Sequence, residues 1–127
     1  MYRIALELDK ITNPGSGLGE FSSQLMKSLV SLPNSHYHFL LLGRSENQFV
    51  KLKRGSEFHK ISSLHKYLPG LSPSCHLWHM THQLSDYYPP KASIPMLLTV
   101  HDLNFSTEKQ GLKKHYYLKQ LQKRVTR

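Results

Sequence analysis

The stretch "LLTVHDLNF", residues 97–105, places a histidine and an aspartate at the end of an apolar run. The run predicts a buried strand over residues 94–101, the fifth along the chain, with a turn at Asn104. A neutral imidazole donates or accepts a hydrogen bond at neutral pH, and a carboxylate accepts several. His101 and Asp102 are therefore candidate site residues, with an ordinary histidine at a strand end as the alternative.

A second candidate lies in "NPGSGLGEF", residues 13–21, between a predicted first strand and first helix. Gly15, Gly17 and Gly19 allow positive φ and let a ligand approach the backbone closely. The free N–H groups and the dipole of a helix start favour an anion there. The spacing matches neither a Walker A loop nor G-x-G-x-x-G, so a turn with glycine for tight packing is the alternative. Glu20 would repel a phosphate placed close by.

The remaining patterns supply the elements that position these residues. Apolar runs predict further strands over residues 2–8, 37–43, 57–61 and 75–80, and helical spacing predicts helices over 19–32 and 112–125. The stretch 64–74 reads as an irregular surface loop. This order predicts an α/β fold, a Rossmann-like mainly parallel sheet flanked by helices. Ligands of such sheets bind outside the carboxyl ends of the strands, so we expect the glycine loop and His101 to face one crevice.

Length, cysteine usage and charge limit the class of protein. The 127 residues are enough for a single domain, residues 1–127, and one cysteine, Cys75, forms no internal disulfide. No run approaches the roughly 18 apolar residues that a membrane span needs, and we expect a cytoplasmic protein. The 17 Lys and Arg against 8 Asp and Glu give a net charge of +9. That excess favours an anionic partner: nucleic acid, a phosphorylated small molecule or an anionic membrane surface.

Taken in order, "GSGLGEFSSQLMKSLV" after the first strand and "LLTVHDLNF" about eighty residues later resemble a known family. They are similar to the amino-terminal domain of GT-B glycosyltransferases of the retaining family-4 (group 1) type. "LWHMTHQLSDYYPP" also resembles the strand and loop that precede the family's His-Asp-Leu strand. The resemblance covers nearly the whole chain and is weakest over residues 44–74.

The resemblance implies a retaining transferase that takes its sugar from a nucleotide-diphosphate sugar as co-substrate, with no cofactor and no metal required for the chemistry. Gly17 and Gly19 would line the cleft near the donor phosphates or the acceptor. His101 would lie beside the transferred sugar, hydrogen-bonding it and stabilising charge in the transition state, and Asp102 would orient the turn. The acceptor would be a sugar or a lipid-linked sugar.

Two departures from the family pattern affect these expectations. Many relatives carry arginine where Glu20 stands, which weakens the expectation of a phosphate contact there. The sequence also ends at Arg127 without the family's donor-binding domain, which would supply the groups that stabilise the leaving diphosphate. We therefore expect the chain to be inactive alone, and to work with a carboxyl-terminal donor-binding domain of the same or another chain.

Aromatic and metal-binding residue types give weaker signals. Tyr87 and Tyr88, in a loop before two prolines, are candidates for stacking on a sugar, whereas Trp78 in an apolar strand is expected in the core. Cysteine and histidine recur as C-H-x-x-H-x-x-H from Cys75 to His82. Zinc is disfavoured there because side chains on a strand point to opposite faces and the familiar C-x-x-C pairs are missing.

The predicted final helix is amphipathic and basic. Residues 109–127 hold seven Lys and Arg and no Asp or Glu. Three interpretations stay open. The basic residues could form a solvated face, or they could dock on the anionic inner surface of the cell membrane. They could also bind nucleic acid as part of a basic α/β module without catalysis. The last lacks a recognised motif. A fourth is an interaction module whose apolar helix face packs on another domain. The candidate membrane contacts are Lys113, Lys114, Lys119, Lys123 and Arg124.

Overall fold

The computed structural model describes residues 1–13, 15–33, 36–49, 55–102 and 110–126. These residues form one five-stranded sheet in the order β3-β2-β1-β4-β5, and every neighbouring pair of strands is parallel. The predicted α/β Rossmann-like fold is therefore confirmed. The bounds are β1 Tyr2–Glu7, α1 Gly17–Ser31, β2 Tyr37–Gly43, β3 Ser56–Lys60, α2 Leu64–Tyr67, β4 Leu77–Met80, β5 Met96–Leu98 and α3 Gly111–Val125.

The strands of this sheet alternate their side chains between two apolar layers. On one face, α1 packs Met26 against Leu6 and Leu41 of the central strands. On the other face, Trp78 and Tyr87 pack with Ala5 and Leu40. The apolar stripe predicted for α1 is confirmed because Met26 is buried and Leu29 is packed against the first layer. Trp78 is fully buried, as its place in an apolar strand predicted.

The fifth strand is shorter and more exposed than the sequence predicts. β5 covers only Met96–Leu98 instead of residues 94–101, and it occupies one end of the strand order. Leu97 is 50% exposed, and Val100 beyond the strand is 46% exposed. The prediction of a strand buried on both faces is therefore wrong. The predicted turn at Asn104 lies outside the described residues.

The final helix forms where the sequence predicts it, but most of its apolar residues are exposed. Arg124 is its buried residue, whereas the apolar residues Leu112, Tyr116 and Val125 are 89%, 57% and 68% exposed. The guanidinium of Arg124 makes hydrogen bonds that no apolar side chain of α3 can replace, and these fix which face turns inward. Among the described residues, no helix has both the length and the apolar character needed to cross a membrane.

Candidate functional site

The strand order reverses direction between β1 and β4, which is where Rossmann-like sheets open a crevice at their carboxyl edge. β1 and β4 pair there through Glu7 and Met80. Thr81, directly after β4, donates its hydroxyl to the carbonyl of Glu7 at 2.6 Å. The glycine loop follows β1, and His101 follows β5, so the two sequence motifs flank this reversal point.

The glycine loop is held by a serine cap at the start of α1. Ser16 accepts a hydrogen bond from the backbone N–H of Gly19 at 3.0 Å and donates its hydroxyl to the carbonyl of Asn13 at 2.8 Å. Serine is a favoured helix cap because its oxygen satisfies an N–H that has no partner within the helix. Ser16 lies three residues before the predicted helix start at Gly19, and the helix begins earlier, at Gly17, because Ser16 caps it.

Gly17 and Gly19 differ in how closely the surrounding structure packs against them. A Cβ on Gly19 would collide with the carbonyl oxygen of Asn13, so this position requires glycine for close packing. A Cβ on Gly17 meets nothing, because Gly17 is exposed. None of Gly15, Gly17 and Gly19 uses the positive φ that glycine allows, since positive φ among the described residues occurs only at Gly55 and Gly111. Gly17 keeps the open backbone that a ligand could approach.

His101 lies against the start of α1. Its ring meets the ring of Phe21 edge to face, with the centroids 4.5 Å apart. The Nε2 atom of His101 lies 2.8 Å from the carbonyl oxygen of Thr81. A carbonyl only accepts, so Nε2 carries the proton and donates, and in the neutral ring Nδ1 is an acceptor. The structure therefore brings His101 to the glycine-loop helix. Its Nδ1 atom can accept a hydrogen bond from a ligand but cannot donate one.

Gln83 holds the backbone on both sides of this histidine. Its Oε1 accepts from the N–H of His101 at 3.2 Å, and its Nε2 donates to the carbonyl of Asp102 at 2.9 Å. The side chain of Asp102 is exposed. Sequence analysis missed Gln83 and Thr81, because the local pattern of a loop does not show which distant backbone its side chains bond: His101 and Asp102 for Gln83, and Glu7 for Thr81.

A buried acid and a buried histidine lie under the crevice. Burial raises the pKa of Glu7 to about 7, and burial lowers the pKa of His82 to about 4. The Oε1 atom of Glu7 accepts from the N–H of Asp9 at 2.8 Å, whereas its Oε2 has no hydrogen-bond partner among the described residues. The Nε2 atom of His82 lies 4.0 Å from this Oε2. Both side chains are buried, so neither offers its polar atoms to a ligand at the surface.

The two tyrosines proposed for sugar stacking do not present free rings at the surface. Tyr87 is 2% exposed and belongs to a core cluster, so its predicted stacking role is wrong. The ring is buried because the loop folds back onto the sheet, where Lys66 lies over it at 5.1 Å from the ring centroid. Tyr88 is partly buried and packs against the same cluster.

The C-H-x-x-H-x-x-H residues are dispersed among different partners. His76 accepts the N–H of Arg3 on Nδ1 at 3.0 Å, and His79 pairs with the Thr99 hydroxyl at 2.8 Å. Burial raises the pKa of the Cys75 thiol, which disfavours the thiolate that a nucleophile or zinc ligand needs. Within the described part of the chain, no group of three or more histidine, cysteine or acidic side chains could hold a metal ion.

The predicted basic contacts of the final helix divide into two groups. Lys113, Lys119 and Lys123 are exposed on α3, and Lys114 is partly exposed. Arg124 is 4% exposed and donates from Nε and Nη2 to the carbonyl of Ser85, at 3.0 and 2.6 Å. Arg124 is therefore an anchor of the helix, and its inclusion among the membrane contacts is wrong.

No protein-family model, curated protein or solved structure matches the chain significantly. A proposal for the function of the chain therefore depends on the geometry of the residues described above.

Proposed function

We propose that this chain is the amino-terminal, acceptor-side domain of a retaining glycosyltransferase that uses a nucleotide-diphosphate sugar. The observation that carries the proposal is the contact between Phe21 and His101, with ring centroids 4.5 Å apart. It joins the two motifs of the resemblance, about eighty residues apart in sequence, beside the reversal point of a parallel sheet. Such a point is the usual ligand crevice of Rossmann-like folds.

His101 acts in this proposal through Nδ1. Because Nε2 donates to Thr81, the neutral ring offers a lone pair to a donor in the crevice, and a sugar hydroxyl is such a donor. Gln83 holds the backbone N–H of His101 and the carbonyl of Asp102, which fixes the direction of the ring. His101 therefore orients the sugar by accepting a hydroxyl proton in a hydrogen bond, and Asp102 belongs to the turn that holds it.

The leaving diphosphate is stabilised from outside this domain. The exposed carboxylate of Glu20 lies in the first turn of α1 and opposes an anion at that helix start. A diphosphate needs positive groups and helix starts without a nearby carboxylate. The donor-binding domain, on the same or another chain, would supply them, and the exposed backbone at Gly17 would face the acceptor. The proposal requires neither a cofactor nor a metal.

The test begins with the native protein in its source cells. An antibody to this domain, followed by mass determination, identifies the polypeptide and any chain that copurifies with it. That assembly is then supplied with uridine, guanosine and adenosine diphosphate sugars, and release of the nucleoside diphosphate is measured. We expect release by the assembly and none by residues 1–127 alone. Sugar transfer by the isolated chain would contradict the half-site, and an assembly that releases nothing would contradict the transferase.

A matched pair of variants tests His101 in the assembly. In His101→Gln the amide nitrogen can still donate to Thr81, but the Nδ1 acceptor is lost. We expect kcat/KM to fall by about tenfold to a hundredfold, the loss of one hydrogen bond to substrate, while the fold is kept. Lys91→Gln on an exposed loop should leave kcat/KM unchanged. A wild-type rate in His101→Gln would remove His101 from the site.

A second candidate function is binding of an anionic partner without catalysis. It is favoured by α3, which exposes three lysines and contains no acidic residue. Nucleic acid as that partner predicts affinity that falls steeply as salt rises, because each neutralised phosphate releases counterions. Titration of single-stranded and duplex oligonucleotides across a salt series tests this candidate.

A further inference from the structure

An exposed apolar segment follows the third strand. The apolar segment consists of α2 and the turn after it, and its residues Leu64, Tyr67, Leu68 and Leu71 are 53%, 81%, 53% and 53% exposed. Leu64 and Tyr67 lie on α2, and Leu68 and Leu71 lie in the turn that follows it. Here α2 has no buried residue. Four large apolar side chains in one surface segment form a patch, and such patches mark interaction sites.

The helix α3 exposes a mixture of apolar and basic residues. Its inward side holds Arg124 with Tyr117, Gln120 and Leu121 partly covered. Its outward side, away from Arg124, holds four large apolar side chains and two lysines, namely Leu112, Tyr116, Leu118, Val125, Lys119 and Lys123, and a third lysine, Lys113, is exposed at its amino-terminal end. No acidic residue occurs between Gly111 and Val125. The outward side therefore combines apolar area with charge of a single sign.

The apolar segment and α3 flank the same loop. Lys66 of α2 lies 3.5 Å from Oδ2 of Asp86, and Arg124 of α3 lies 3.5 Å from Oδ1 of the same carboxylate. Tyr116 and Asp86 border one cavity of about 220 Å³. Asp86 thus joins the two elements, and the exposed residues of both lie around one region of the molecule.

We propose that the apolar segment and α3 together form a docking surface for an anionic lipid bilayer. The lysines of α3 would contact lipid headgroups, and the leucines and tyrosines would enter the boundary between headgroups and acyl chains, as in interfacial amphipathic helices. Charge complementarity selects the anionic bilayer, since α3 offers no negative group to a basic partner. The docking does not depend on the proposed transferase activity.

The apolar residues favour a bilayer over nucleic acid. Nucleic-acid grooves use positive side chains for phosphates and aromatic rings for bases. Leu64, Leu68 and Leu71 have neither property, yet each is about half exposed. Lipid accounts for leucine and lysine on the same surface, because it provides both an acyl region and an anionic headgroup layer.

Vesicle binding of the whole chain tests the proposal. The probes are vesicles of equal parts phosphatidylglycerol and phosphatidylcholine, and vesicles of phosphatidylcholine alone, both in co-sedimentation at low and high salt. Binding should be stronger to the anionic vesicles, weaken with salt and keep a salt-resistant part. The triple variant Lys113→Gln, Lys119→Gln, Lys123→Gln should bind anionic vesicles about a hundredfold more weakly, at about fivefold for each lysine.

The apolar part is tested separately with matched controls. The double variant Tyr67→Ser, Leu68→Ser should lose the salt-resistant part, at least about fivefold in affinity. Leu32→Ser at the end of α1, where Leu32 is 55% exposed, and Lys27→Gln on exposed α1 should bind like the wild type. Circular dichroism confirms folding of every variant.

Three outcomes would overturn the proposal. The first is equal binding to both kinds of vesicle. The second is wild-type binding by both multiple variants. The third is the absence of vesicle binding together with an effect of the variants on another partner. In that case, loss of oligonucleotide binding from the lysine variant would assign the surface to nucleic acid. Loss of self-association from the apolar variant, measured by analytical ultracentrifugation, would assign it to a second copy of the chain.

Discussion

Phe21 and His101 meet edge to face with their ring centroids 4.5 Å apart, although eighty residues separate them. Phe21 is on the first turns of α1, and His101 follows the last strand of the sheet. The positive edge of one aromatic ring against the face of another is a favourable arrangement, worth about 0.5–1.5 kcal/mol. The contact therefore ties the glycine-loop helix to the segment that follows β5.

Gln83 is expected to stabilise the loop that carries His101. Gln83→Ala removes both hydrogen bonds to the backbone of His101 and Asp102, so we expect a loss of about 1–3 kcal/mol in the free energy of unfolding. Urea denaturation measures this free energy of unfolding. Gln24→Ala on α1 is the control, because that side chain bonds only Glu20 at an exposed position, and its effect should stay under about 0.5 kcal/mol. Equal effects of the two variants would contradict the role of Gln83.

The two glycines at the start of α1 should respond in opposite ways to alanine. Gly19→Ala forces a methyl group into the carbonyl of Asn13, and we expect destabilisation by about 1–3 kcal/mol. Gly17→Ala meets open space in a helix, and we expect a gain of up to about 1 kcal/mol. Thermal and urea unfolding measure the free energy of unfolding of both variants. If Gly19→Ala is as stable as Gly17→Ala, the loop does not pack as described.

Glu7 should make stability depend on pH in a defined direction. Burial raises its pKa to about 7 in the folded protein from the ordinary 4.5, so the folded state keeps the proton to a higher pH than the unfolded state. The stability contribution is then complete below pH 4.5 and is lost as pH rises through about 7. The pKa differs by about 2.5 between the unfolded and folded states, and at about 1.4 kcal/mol for each pKa unit this sets an upper limit of about 3.5 kcal/mol.

Glu7→Gln removes this titration and tests it. The variant should gain stability relative to the wild type above about pH 7 and gain little below pH 4.5. Urea denaturation across that range gives the difference. Glu20→Gln, at an exposed position of α1, serves as the matched control and should show no such trend. A Glu7→Gln profile parallel to that of the wild type would mean that Glu7 is ionised in the folded protein.

Arg124 should hold α3 against the sheet. Arg124→Ala removes two hydrogen bonds to Ser85 and the ion pair with Asp86, and it leaves the Ser85 carbonyl without these donors. We expect amide hydrogen exchange to accelerate at least about tenfold through Gly111–Val125, while β1 and β2 stay protected. Lys123→Ala, beside it and exposed, should leave the exchange unchanged. Uniform acceleration over the whole chain would contradict a separable helix.

The elements that the sequence predicts well are those whose pattern is set by their own burial. β2 was predicted over residues 37–43 and has those bounds, because a central strand covered on both faces needs a nearly continuous apolar run. The length of β5 was overestimated, since an apolar run does not show whether a neighbouring strand pairs with it. The burial of Arg124 on α3 was not predicted, because its long-range hydrogen bond to Ser85 leaves no trace in the periodicity of the helix.

The site was predictable only in its two motifs. His101 and the glycine loop were recognisable because residue type and position after strands point to the carboxyl edge of the sheet. Thr81 and Gln83 act on backbone atoms of distant segments, and their sequence context carries no trace of those bonds. Tyr87 was assigned to the surface from the prolines that follow it, although loop aromatics fill cores when the loop folds back.

The central place of β1 has a consequence for how the chain is made. β1, α1 and β2 leave the ribosome before β3, β4 and β5 and can pair at once, since their contacts are close in sequence. The other edge of β1 waits for β4, and the Thr81 hydroxyl that closes it on Glu7 is synthesised 74 residues later. During that interval an apolar strand presents an open backbone edge, which is the feature that recruits other chains. The nascent protein is therefore most prone to aggregate before β4 has emerged.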